Sequence, residues 1–195
     1  MNDIKEIEIF KRNFSSLQKT SYDETNKCYM TDSQLQVIHF DNVVKNRGKE
    51  FGPERPKSND ALYIADDGKM YFIEFKNGRI GTEVKLELKL KICESLLMFM
   101  DITKKDLCFI RENLSYILVY NEEGYPLTNQ ELKELDGIMS RLNPLTVRLS
   151  SKAEEYFVRF AFRRFKNFYF KEVFTLNKEE FEDYININKW ENKLC

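Results

Sequence analysis

Apolar and polar positions alternate along this chain with two periods, one helical and one extended. Ile4, Ile7, Phe10 and Phe14 recur at the spacing of one helix face, which predicts an amphipathic helix over residues 3–14. Residues 15–33 are polar and turn-rich. Residues 34–45 form an apolar segment whose type the pattern leaves open. Residues 46–59 contain Gly48, Gly52, Pro53 and Pro56 and read as a loop delivering the chain to a strand.

The clearest pattern lies in residues 60–76, where two β-rich runs flank the turn cluster Asp66-Asp67-Gly68. A three-residue loop with Gly68 in the left-handed position closes such a hairpin. The register then sets Ile64 opposite Met70, Leu62 opposite Phe72 and Asp60 opposite Glu74. Side chains alternate along a strand, so Asp60, Glu74 and Lys76 share one face at one end of the hairpin. The other face carries Ala61, Tyr63, Ala65, Tyr71, Ile73 and Phe75. Both faces are therefore apolar away from that polar end, which predicts a hairpin inside a sheet covered on both sides.

Residues 82–101 are rich in Leu, Lys and Glu and favour a helix, although Val84, Leu86, Leu88 and Leu90 also alternate. Residues 115–121 read as a buried strand. Thr128-x-x-Glu131 resembles a capping box ahead of a helix ending near Asn143-Pro144. Residues 151–166 read as another helix, residues 169–176 as a strand, and a terminal helix starts from Asn177. The whole, residues 1–195, is expected to form one domain.

Composition narrows the chemistry. The chain has 195 residues, with 31 Lys plus Arg against 32 Asp plus Glu and a net charge of -1. No domain-wide positive field draws it to nucleic acid, so any such contact needs a local patch. No apolar run approaches a membrane span, and acids stand in residues 1–10 where a signal peptide would be basic and then apolar. The expectation is a cytoplasmic protein with no membrane partner. Cys28, Cys93, Cys108 and Cys195 show no CxxC pairing, so neither a zinc cluster nor a disulfide framework is indicated. The single histidine, His39, excludes any mechanism that needs two, and its apolar setting reads as structural.

Two carboxylates at neighbouring strand ends, with a lysine two residues past the second, make sense as a set. Asp60 and Glu74 repel each other when bare, and a hard divalent cation with oxygen ligands relieves that repulsion. The backbone carbonyl of Phe75 is placed to complete the protein's share of the coordination. Lys76 beside it would orient water or stabilise charge on a phosphate. A second set, Arg159, Arg163, Arg164 and Lys166, falls on the helix expected over residues 151–166. It could contact successive phosphates or simply be a solvated face.

Asp60 together with Glu74-Phe75-Lys76 on such a hairpin resembles the PD-(D/E)xK nuclease superfamily. The resemblance covers about residues 57–101, with a helix before and the strand at 115–121 after. It implies an α/β fold with a restriction-endonuclease-like αβββαβ core, a central mixed sheet flanked by helices, and additional C-terminal helices. It also implies an endonuclease dependent on Mg2+ or Mn2+, with DNA favoured over RNA as substrate, in defence, repair or mobile-element biology. Asn59 replaces the proline of the motif, with Pro56 nearby. A glutamate from the first helix is common in the superfamily, and Glu6 and Glu8 are both available. The alternative is a non-catalytic module on the same fold, binding nucleic acid or protein through the surface from Arg159 to Lys171. A small phosphate ester as substrate, and a homodimer or protein partner, stay open.

Overall fold

The predicted hairpin forms with the expected register. In the computed structural model, which describes residues 4–50, 54–124 and 158–190 together with residues 129 and 133, strand β5 (Ala61–Ile64) pairs antiparallel with β6 (Met70–Lys76). Leu62 stands opposite Phe72 and Ile64 opposite Met70. Gly68 closes the turn at φ 85°, a conformation that costs other residues strain.

Around this hairpin runs a six-stranded mixed sheet in the order β1-β4-β5-β6-β7-β8. Strands β1 (Phe14–Ser16), β4 (Gln36–His39), β5 and β6 are antiparallel neighbours. Strands β7 (Leu114–Tyr120) and β8 (Val173–Asn177) continue parallel to β6. The fold is thus α/β, a mixed central sheet flanked by helices. A separate two-stranded ribbon joins β2 (Tyr22–Asp23) to β3 (Cys28–Tyr29).

Both faces of the sheet are covered, as the two-sided apolar pattern requires. One face packs Leu62, Phe72, Tyr116 and Leu118 against helix α3 (Phe40–Gly48), helix α4 (Thr82–Thr103) and the 3-10 turn Phe162–Phe165. The other packs Ala61, Tyr71, Ile73 and Ile117 against Leu17 of the short helix α2 (Leu17–Thr20), Met30, and Phe181 and Ile185 of the C-terminal helix. Helix α4 is a single 22-residue helix, so its alternating start does not become a strand. Its buried positions Leu88, Ile92, Ser95, Leu96 and Phe99 follow the helical period. Helix α5 (Leu107–Asn113) then leads into β7, and helix α6 (Lys178–Ile187) starts at the capping box made by Asn177 and Glu180. Among the described residues no helix is long and apolar enough to cross a membrane.

Several expectations are corrected. The helix expected over residues 3–14 is reduced to a 3-10 turn, Ile4–Glu6, and helix α1 (Glu8–Lys11). Asn13 Nδ2 donates to the Ile9 carbonyl (2.7 Å), the Asn13 carbonyl accepts from His39 N–H (2.8 Å), and Phe14 pairs with Ile38. The sheet edge therefore takes the last residue of the apolar stripe. The undecided segment at 34–45 is both types in turn, β4 and then α3, which also takes the first residues of the expected loop.

The helix expected over residues 151–166 is absent where it is described. Phe160 and Ala161 are left-handed, at φ 61° and 62°, and a 3-10 turn follows. Arg159 N–H donates to Thr175 Oγ1 (2.8 Å), tying the chain to β8. Phe162 packs on Tyr116 at 6.1 Å between ring centroids, and Phe170 does so at 5.5 Å. Aromatic packing under the sheet outweighs helix propensity here. Of the helix expected from Thr128, only Asn129 and Lys133 are among the described residues, both helical and exposed. The remainder of that helix, and residues 151–157, lie outside the described residues. Cys28, Cys93 and Cys108 are free thiols.

Candidate active site

Strands β5 and β6 bring Asp60 and Glu74 together because each begins or ends where the ladder lets polar groups in. Phe75 N–H donates to Asp60 Oδ2 (2.7 Å), and the Asp60 carbonyl accepts from Phe40 N–H (3.0 Å). Asp60 is thus fixed to the end of β6 and to the start of α3. Glu74 stands opposite Asp60 where the β5–β6 register is continued by one pair, and is 1% exposed.

A residue that the strand pattern does not point to completes the pair. Lys91, on α4, donates its ammonium to Glu74 Oε1 (2.5 Å) and lies 3.6 Å from Asp60 Oδ1. The helical period could have found it. Position 91 falls among the buried positions 88, 92 and 95, where an apolar side chain is expected. One turn on, buried Ser95 accepts Asn59 N–H on Oγ (2.8 Å). Both polar residues on the inner face of α4 therefore serve the start of β5 and its partner carboxylate.

The electrostatics follow from burial. Desolvation and the Asp60 charge push the Glu74 carboxyl up to about 8, against the pull of Lys91. Burial also raises Asp60, opposed by Lys91 and by the Phe75 N–H. Burial alone would lower Lys91, yet Glu74 and Asp60 together hold it above the ordinary ammonium range. His39, next to the site, is kept below the ordinary imidazole range by burial.

Buried side-chain atoms without a hydrogen-bond partner gather here. Among the described residues they are His39 Nδ1, Asn59 Nδ2 and Oδ1, Glu74 Oε2, Tyr116 Oη and Glu172 Oε2. The last lies 2.5 Å from Lys166 Nζ. The others flank or face the carboxylates: His39 interacts with Asp60, Tyr116 with both acids, and Asn59 precedes Asp60. Native interiors rarely leave such atoms unpaired, and a ligand site is one of the few reasons to do so.

Two carboxylates meet one cation, the Lys91 ammonium, and Glu74 keeps a buried oxygen without a hydrogen-bond partner, a donor set of the kind that a hard divalent cation takes. No group of three or more His, Cys, Asp and Glu side chains comes together among the described residues. Magnesium is commonly held by one or two carboxylates and waters.

Lys76 is half-buried at the end of β6 and opens, with Asp60 and Phe75, onto a cleft of about 300 Å³. The opposite wall of this cleft is residues 20–26 and Met30, from the β2–β3 ribbon and its approach. Asp60 thus touches both the cleft, with Phe75 and Lys76, and the buried Glu74–Lys91 pair, while Glu74 itself does not line the cleft. Glu6 and Glu8 are not part of the site. They are exposed and paired with Lys11 and Arg12, and neighbouring Lys5 reaches the hairpin turn at Asp66 (3.6 Å), the end away from Glu74.

The basic set is dispersed. Arg159 is 3% exposed, with its guanidinium 5.0 Å from the ring centroids of both Tyr120 and Phe160. It is a packing residue, closed to phosphate. Lys166 pairs with Glu172, while Arg163 and Arg164 are exposed on the 3-10 turn. They do not form the single helical face that the sequence suggests.

No protein-family model matches the chain, and comparison with curated proteins and with solved structures gives no match.

Proposed function

We propose that the protein is a metal-dependent nuclease of the PD-(D/E)xK type, with Asp60 and Glu74 as the acidic pair. The observation that carries the reading is the pair of carboxylates Asp60 and Glu74 around Lys91, with an unpartnered oxygen on buried Glu74 and with Asp60 also lining the cleft onto which Lys76 opens. The element order supports it. A helix precedes the antiparallel strands β4, β5 and β6, then come α4 and a strand parallel to β6, the arrangement expected of a restriction-endonuclease-like αβββαβ core. Helix α3, between β4 and β5, is an addition to that order.

Asp60, Glu74 and the Phe75 carbonyl would hold Mg2+ or Mn2+, which supplies a lowered water pKa and charge neutralisation at a phosphodiester. Lys76, at the cleft, orients water and stabilises negative charge on the phosphate. Lys91 acts behind the carboxylates, keeping two like charges together at a dry site where they would otherwise repel. The substrate is nucleic acid, with DNA favoured by the resemblance.

A nuclease assay on plasmid, linear duplex, single-stranded DNA and RNA with Mg2+, Mn2+ or EDTA tests this. Cleavage is expected with metal only, falling at least ~100-fold in Lys76→Ala and Glu74→Ala, in line with loss of a charge-stabilising group. Full activity in Lys76→Ala, with its circular dichroism unchanged, overturns the assignment. The non-catalytic alternative keeps exposed Arg163, Arg164 and Lys171 of its surface, while Arg159 is buried and Lys166 is paired.

A further inference from the structure

The β2–β3 ribbon, which supplies part of the lining of the cleft that holds Asp60 and Lys76, carries an unusual feature: two tyrosines left open to solvent, Tyr22 lining the cleft and Tyr29 beside it across the ribbon. Tyr22 and Tyr29 are directly opposite each other in the β2–β3 ribbon, with ring centroids 4.9 Å apart. A cross-strand pair of this kind normally gains by burying its rings. These stay 44% and 48% exposed, and Tyr22 lines the cleft itself.

The ribbon that carries them is fixed at several points, although two residue pairs alone make a marginal sheet. Ser21 Oγ accepts N–H groups from Met30 (3.2 Å) and Thr31 (3.3 Å). Asp23 closes the turn, accepting from Thr25 N–H (2.9 Å), Asn26 N–H (3.1 Å) and Asn26 Nδ2 (2.6 Å). Asn77, the residue after Lys76, donates Nδ2 to Cys28 Sγ (3.4 Å) and accepts from Asn121 Nδ2 (2.8 Å). The tyrosines are therefore tied to the strand end that presents Lys76.

The charge of the cleft selects what these rings can receive. Its lining holds one cation, Lys76, against Asp23, Glu24 and Asp60, with Thr20, Ser21, Thr25, Asn26 and Asn77 as neutral polar groups. A run of phosphates finds no basic track there. A neutral, flat, polar-edged group does, and the aromatic faces supply its platform.

We propose that Tyr22 and Tyr29 form a stacking platform for an unpaired nucleobase, so that the protein engages single-stranded nucleic acid with one base against the ribbon and the adjoining backbone at Lys76. This rests on the nuclease reading for the role of Lys76. The platform itself needs only that a strand with exposed bases binds in the cleft.

The test measures binding in EDTA, where cleavage does not intervene. Fluorescein-labelled dT12, rU12, an abasic 12-mer and a 12-bp duplex are titrated with the full-length protein by anisotropy. The wild type is expected to bind dT12 or rU12 at least about 10-fold more tightly than the abasic strand or the duplex, the scale of one stacked base. The Tyr22→Ala/Tyr29→Ala variant is expected to lose that preference, and Tyr22→Phe/Tyr29→Phe to keep it. The dT12 and rU12 arms separate DNA from RNA. Equal wild-type affinity for dT12, rU12 and the abasic strand overturns the platform without relying on a variant that has to fold. An unchanged preference in the double alanine variant overturns it as well. Base-dependent binding without metal-dependent cleavage leaves the platform standing and removes the nuclease reading. Metal-dependent cleavage with no base-dependent binding does the reverse.

Discussion

Glu74 is the residue where folding and chemistry pull hardest against each other. Its carboxyl, ordinarily near 4.5, is pushed up to about 8 by burial and by Asp60. In the metal-free protein the folded state therefore holds a proton that the unfolded chain releases, and stability falls as pH rises from about 4.5 to about 8. The loss is complete above that window. Urea midpoints measured in EDTA at pH 5.5 and 8.5 should show the wild type less stable at the higher pH, and Glu74→Gln, which cannot ionise, should flatten the difference. An equal pH slope in both proteins would mean that Glu74 titrates normally. The acids were readable from the sequence because a two-residue period and a three-residue turn fix which side chains share a face. Lys91 leaves only a partial signal, a lysine among the buried positions of α4, because spacing along a helix does not tell which strand residues it meets across the packed layer. The orphaned atoms of Asn59 and Tyr116 were equally hidden, since hydrogen-bond partners are a property of the interior and not of spacing.

At the scale of elements, local rules held where local interactions decide and failed where the sheet does. The hairpin, α4 and the capping box at Asn177 follow from turn chemistry, helical period and side-chain caps. The stripe through Phe14 and the segment around Arg159 both had helical spacing and both yielded to strand contacts. Helix α4 also ends in a way that local rules can test. Its cap, Lys104, is left-handed at φ 56° and donates to the Met100 carbonyl (2.8 Å). An L side chain is strained there, and glycine is the usual residue at this position. Lys104 also pairs with Asp101 (2.9 Å), but that contact is at the surface and contributes little. Lys104→Gly is therefore expected to stabilise the protein by about 0.5 kcal/mol, the relief of strain exceeding the added freedom of the unfolded chain. A lower urea midpoint in the variant would show that the ion pair outweighs the strain.

Across the whole molecule, the distribution of charge sets how the proposed binding should respond to salt. The chain is nearly neutral, and of the arginines expected on one basic face Arg159 is packed inside while Arg163 and Arg164 are exposed on a short turn. The net charge in the sequence already excluded a broad positive field. Its local distribution could not be read, because the expected basic helix face depended on a helix that β8 and the aromatic cluster replace. A nucleic acid bound in the cleft meets one lining cation, Lys76. Few counterions are then released on binding, so affinity should depend weakly on salt. For a single strand the slope of log K against log[salt] is about -0.7 per neutralised phosphate, which gives roughly -1 here, against about -10 for a protein that tracks the backbone with many basic residues. Anisotropy titrations of dT12 from 50 to 300 mM salt in EDTA should give that shallow slope, and Lys76→Ala should bring it close to zero. A steep slope, unchanged in Lys76→Ala, would place the strand on Arg163, Arg164 and Lys171 and away from the tyrosine cleft. A shallow slope together with a base preference would be two readings of one geometry, in which contact with a base does the work that phosphate contacts do elsewhere.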